Sequence, residues 1–157
     1  MSAFLFRGAF AALLAWSPIA LNAHAQALAG TMSFATRHAF DTLLERVEQA
    51  VQKNGLGVIA IASASRGAAA RGVKIPGNAV VMVFRNDLAV RMLAASVPAG
   101  IEAPLRIYLT ENRDGGTTLT YRAARAVFAP YRNAELDRLA RELDELLAKV
   151  AKDAVGA

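Results

Sequence analysis

The residue pattern predicts an α+β fold: a two-layer sandwich with a mostly antiparallel five-stranded sheet and helices on one face. Three observations carry this expectation. Five short segments have the alternation or the compact apolar run of a strand. Two longer segments, one near each end of the domain, carry apolar residues at helical spacing. A hairpin signal joins the last two strands, so the sheet is not wholly parallel. The resulting order is β-α-β-β-α-β-β-α, and sheet plus helical layer is the stable way to bury such faces.

Each element has its own warrant. Residues 31–37 alternate, with Met32, Phe34 and Thr36 on one side and Thr31, Ser33, Ala35 and Arg37 on the other. Asp41 is placed to cap a helix whose stripe is Leu43, Leu44, Val47, Ala50 and Val51. Asn54-Gly55 ends it, since glycine accepts the left-handed conformation there. Residues 56–62 are mostly apolar and read as a strand buried on both faces. Residues 63–77 are irregular, with one helical turn expected at 68–71 and a turn at Pro76-Gly77. Residues 79–84 are again apolar throughout and read as a central strand. Asp87 is placed to cap a short helix that ends before Pro98. Residues 105–110 and 117–122 form the last two strands, joined across Asp114-Gly115. Asn133 starts the final helix, with an apolar stripe of Leu136, Leu139, Leu143, Leu146, Leu147 and Val150. Asp137/Arg141, Arg138/Glu142 and Glu145/Lys149 stand at i,i+4 on its wet side.

Ahead of this domain, residues 1–25 have the layout of a secretory signal peptide. Arg7 is followed by a largely apolar run to Leu21, and Ala23-His24-Ala25 precedes Gln26 as an A-x-A cleavage site. Cleavage between Ala25 and Gln26 is expected; Ala25-Gln26-Ala27 offers a second site two residues on. The run is shorter than the ~20 apolar residues of a spanning helix and contains Pro18. The chain then divides into the leader 1–25, an N-terminal segment with the first strand at 26–36, a core at 37–131, and a C-terminal amphipathic helix at 132–157. The expected location is the periplasm, with no integral membrane segment after cleavage.

Composition restricts the chemistry. There is no cysteine, hence no disulfide, thiolate nucleophile or thiolate metal site. Removing the leader leaves 17 basic against 13 acidic residues, a net +4. That balance favours anionic partners weakly. The basic residues are spread along the chain, and export argues against nucleic acid as a partner.

Beside these readings, several stretches resemble the bacterial family called domain of unknown function 302. They are His38-Ala39-Phe40-Asp41, Lys53-Asn54-Gly55-Leu56, Gly72-Val73-Lys74-Ile75-Pro76, Val83-Phe84-Arg85-Asn86, Ala103-Pro104-Leu105-Arg106, and Asp114-Gly115 followed by Thr120-Tyr121. The resemblance runs from about Arg37 to Tyr131. It implies a TATA-binding-protein-like α+β arrangement and supplies no established activity. An Asp-His pair usual in the family after the second strand corresponds here to Ser63 and Ala64. Its Phe-Gly-Asn-Pro turn corresponds to Phe84-Arg85-Asn86-Asp87. A proline usual soon after the position of Tyr121 is replaced by alanine or arginine. Any chemistry that depends on the Asp-His pair is absent from this chain.

His38 is the one histidine outside the leader. It sits beside a helix start, as a polar site able to bond free N–H groups or solvent. No Ser/His/Asp constellation accompanies it, and no cofactor or metal site is expected. Gly115-Gly116 lacks the strand-loop-helix context and the lysine of a phosphate loop. The sharper candidate is the sheet face left uncovered by helices. Arg106 and Tyr108 on the fourth strand, Thr120 and Arg122 on the fifth, and Arg37 on the first are expected to share it. Such a face suits a small anionic ligand, because guanidinium groups fork onto carboxylate or phosphate. The leading expectation is a periplasmic binding or accessory domain for a small anionic ligand or protein partner, with a homodimer through the open sheet as one arrangement. The alternatives are an envelope structural or interaction protein, contacting its partner through the final helix, and an enzyme of unknown reaction.

Overall fold

The computed structural model describes residues 28–156. The expected signal peptide and both expected cleavage positions lie outside these residues. Five strands are present: β1 (Thr31–Thr36), β2 (Gly57–Ala62), β3 (Asn78–Phe84), β4 (Leu105–Glu111) and β5 (Thr117–Arg122). They form one sheet in the order β1-β5-β4-β3-β2, and every neighbouring pair is antiparallel. The helices are α1 (Phe40–Lys53), α2 (Ala64–Ala69), α3 (Asn86–Ala95), α4 (Ala124–Phe128) and α5 (Ala134–Val155), with 3₁₀ segments at Val97–Glu102 and Ala129–Tyr131. The predicted α+β class holds. The order gains α2, α4 and the two 3₁₀ segments.

Two apolar clusters organise the packing. The first lies between α1, the second half of α5 and one sheet face. There Leu43, Leu44, Val47 and Val51 meet Leu147, Val150, Val81, Ile107, Leu109 and Leu119. The second lies beyond the sheet end, where Leu88, Met92, Ala99, Val127 and Phe128 close around Leu136, Leu139, Ala140 and Leu143. α5 therefore serves two layers in succession. Its first turn is held by Asn133, whose Oδ1 accepts from the N–H groups of Glu135 and Leu136, as an N-cap does.

The structure departs from expectation in identifiable places. β2 is an edge strand, not one buried on both faces: Ile59 is 55% exposed, and the register shifts between Val58 and Ala60. An apolar run marks low polarity, and it cannot tell an interior strand from an edge. β3 is interior, between β4 and β2, as expected, while β4 stands in the middle of the five. α1 is capped at Ala39 and α3 at Arg85; Asp41 and Asp87 sit in the first turns instead. There they still favour the helix through its dipole. The irregular stretch forms its helix at Ala64–Ala69, earlier than expected, because Ser63 Oγ accepts from the N–H of Arg66 and nucleates it. On α5 the anticipated i,i+4 pairs give way to others. Arg138 turns to Glu135, and Glu142 reaches Arg85 at 3.4 Å and Arg91 at 2.8 Å.

Candidate functional site

The sheet face away from α1 and α5 is the candidate site. Strand register decides which side chains share it. Tyr108 on β4 pairs with Thr120 on β5, and Thr120 pairs with Ser33 on β1. Ser33 Oγ and Thr120 Oγ1 lie 2.9 Å apart. One row on, Arg122 pairs with Thr31 and Arg106 with Met82. Continuing the register past the Ile107–Tyr121 pair sets Arg106 directly against Arg122. Cross-strand neighbours on one face stand about 5 Å apart at their Cβ atoms.

This pairing is electrostatically unusual. Like charges directly opposite each other in a sheet are destabilising. The other residues paired on the face, among them Ala35, Thr118, Thr110, Asn78, Val80 and Ala60, include no carboxylate. Neither arginine takes part in an ion pair among the described residues. Both are exposed, and Tyr108 beside them is 43% exposed. The arrangement is a pair of uncompensated guanidinium forks beside a phenol and two hydroxyls. Chemically it can hold a carboxylate or phosphate by charge-assisted hydrogen bonds.

Arg37 does not join them. It follows Thr36, which pairs with Thr117 at the other end of β5 from Arg122. Six residues of strand separate it from the level of Arg122, about 20 Å. The five predicted residues thus divide into a cluster of Arg106, Tyr108, Thr120 and Arg122, and an isolated Arg37. Sequence alternation assigns a face, and only the antiparallel register of β1 shows which end a residue occupies.

His38 is half-buried, and its Nε2 stands 3.4 Å from the carbonyl of Val155 near the end of α5. Its backbone N–H donates to Thr36 Oγ1 at 3.2 Å. The ring thus bonds α5 and does not reach the free N–H groups of α1. No group of three or more His, Cys, Asp or Glu side chains able to hold a metal occurs among the described residues. Ser63 Oγ donates to the carbonyl of Asn78 at 2.7 Å as well as capping α2.

A second feature had no sequence signal. The Phe84-Arg85 turn and Ala103 converge on a cavity of about 40 Å³, lined also by Leu88, Met92, Phe128 and Leu143. Ligand pockets for drug-sized molecules run to roughly 300–1,000 Å³, so this space is far below that range. Arg85 binds Asp87 at 2.8 Å and Glu142 at 3.4 Å, and its guanidinium lowers the Asp87 carboxyl below its ordinary value. Glu102 accepts from the Tyr131 hydroxyl at 3.0 Å; burial, followed by that hydrogen bond, raises the Tyr131 phenol. The charged groups around the cavity are therefore already engaged with one another.

Comparison with solved structures finds the same architecture in an uncharacterised conserved DUF302 protein from Bacillus stearothermophilus. The match has a TM-score of 0.72 at 16% identity and covers 80% of this chain and 98% of that one. That likeness concerns the fold. The family described as domain of unknown function DUF302 matches residues 32–154, and the chain belongs to it. Comparison with curated proteins gives no match.

Proposed function

We propose that this protein is an exported binding domain whose open sheet face takes a small anionic ligand through Arg106 and Arg122. The observation that carries the reading is the register. Two arginines are set against each other on a face without a carboxylate, where a purely structural sheet would pay for the repulsion. An anion between them turns that repulsion into two charge-assisted contacts. Tyr108 and Thr120, in the next row, supply hydroxyls to orient it. The leader-like residues 1–25 support a periplasmic location, where capture or accessory roles suit a small binding module.

A partner-binding role through α5 has less support. The helix spends its apolar stripe inside the chain, from Leu136 to Ala154. The function is best stated as ligand binding, with a protein partner secondary.

Thermal unfolding in inorganic phosphate and in succinate tests the ligand. Ligand at about 100 times its dissociation constant adds roughly 2.7 kcal/mol to stability. A rise in Tm is expected for the natural protein, and most of it is expected to vanish in Arg106→Ala and Arg122→Ala. Absence of a shift with both probes, or equal shifts in both variants, overturns the site. Fractionation of the native host, with the mass of the N-terminal peptide, tests export separately. Recovery of an intact chain in the cytoplasm overturns that part alone.

A further inference from the structure

We infer that β2 is the seam of a symmetric homodimer, formed by antiparallel pairing of β2 with its copy. This goes beyond the ligand reading and is independent of it. It also moves the homodimer from the open face, where the sequence placed it, to the sheet edge. β2 pairs with β3 alone. Half of its backbone N–H and C=O groups therefore point away from the sheet. Among the described residues, no hydrogen bond from a loop or side chain reaches them. Such an edge is a template for another strand.

Natural edges are blunted by charge, proline, shortness or a β-bulge. From Leu56 to Ser65 there is no charge and no proline, and the one such device is a bulge. The bulge between Val58 and Ala60 disturbs the first half of β2, and residues 60–62 then run in unbroken register with β3. Pairing of two copies about Ile61 uses this straight stretch. It sets Ala60 beside Ala62 of the partner subunit, small residues that permit close approach.

Charge at the ends permits a second copy as the occupant, and twofold closure favours it. Lys53, before β2, is neutralised by Asp153 at 2.9 Å, and Arg66, after it, by Asp41 at 3.4 Å. An antiparallel twofold brings the first end of one copy against the second end of the other, and both ends are balanced pairs. The opposite edge is less suited. β1 carries Thr31, Ser33 and Thr36 and runs into exposed Arg37. A twofold on β2 also closes at two subunits, whereas β1 against β2 would propagate.

Light scattering on the purified protein, from low to high micromolar concentration, tests the inference. The natural protein is expected to reach dimer mass. Ala60→Lys puts a charge at an exposed seam position and is expected to weaken the dimer at least roughly tenfold, about 1.4 kcal/mol. Ala35→Lys, on β1, is expected to leave it intact. Hydrogen exchange of β2 amides in the natural protein supplies a readout that needs no variant, slowing as concentration rises. A monomer throughout, a dimer untouched by Ala60→Lys, a dimer broken by Ala35→Lys, or β2 amides insensitive to concentration each overturns the seam.

Discussion

Thr117 shows how much a single position carries. Its side chain is fully buried on the helix-covered face of β5, and its Oγ1 has no hydrogen-bond partner. A buried hydroxyl without a partner costs about 1–3 kcal/mol, and an apolar group of the same shape removes that cost. Thr117→Val keeps the branched shape and is expected to raise stability by about 1 kcal/mol, read as a higher urea midpoint with unchanged slope. A lower midpoint would show that the hydroxyl is satisfied in solution. Alternation in 117–122 already assigns Thr117 to the inner face, opposite Thr118 and Thr120. It does not reveal that the hydroxyl is left alone, because that depends on Thr36, whose own Oγ1 donates to the Thr117 carbonyl at 2.8 Å. The same division applies to the site. That Arg106, Tyr108, Thr120 and Arg122 share a face was legible from period two. That the two arginines oppose each other, and that Arg37 lies at the far end, required the register.

At the scale of elements, α1 and α5 are bound by a polar clasp as well as by their apolar stripes. Asp153 near the end of α5 accepts from Lys53 Nζ at 2.9 Å and from Asn54 Nδ2 at 2.8 Å. These bonds lower its carboxyl below the ordinary value of 3.8, the one to Lys53 most. The folded chain thus holds that proton less tightly than the unfolded chain does. The stabilisation is complete above the unfolded value and drains away as pH falls through the lower folded one. Asp153→Asn is expected to destabilise the protein at neutral pH and to converge with the natural protein in acid, measured by urea unfolding from about pH 7 to pH 3. Parallel curves would remove the clasp. Long elements were legible because periodicity accumulates over turns: α1, α5 and the β4–β5 hairpin all appear where the pattern sets them. α2, α4 and the 3₁₀ segments are too short to accumulate a period, and capping or packing decides them. Pro98 illustrates this. It reads as a helix stop, and it sits in the first turn of a 3₁₀ segment, where a missing N–H is harmless.

At the scale of the molecule, α5 makes one body of two clusters. Leu136, Leu139, Ala140 and Leu143 belong to the cluster beyond the sheet, and Leu147, Val150, Ala151 and Ala154 to the cluster under it. Phe128 is the largest fully buried side chain among the described residues and lies in the former. Phe128→Ala is expected to cost about 3–5 kcal/mol while unfolding stays a single transition, because α5 cannot leave one cluster and remain in the other. Coincident denaturation curves by far-UV circular dichroism and tyrosine fluorescence check this; two resolved transitions would show separable units. The expectation from sequence that helices pack on one sheet face was half of the answer for α5. A helix stripe gives the direction of burial and leaves open what it is buried against.

The placement of β1 has a consequence for how the chain assembles in time. β2, β3, β4 and β5 each pair with the strand next to them in sequence, so they close by local steps. β1 pairs only with β5, and the Ser33–Thr120 contact spans 87 residues. The first strand to emerge is therefore the last to find its place. Until β5 exists, the leading part of the chain has no strand to join. A chain synthesised from its N-terminus thereby keeps its sheet open until its last strand is made.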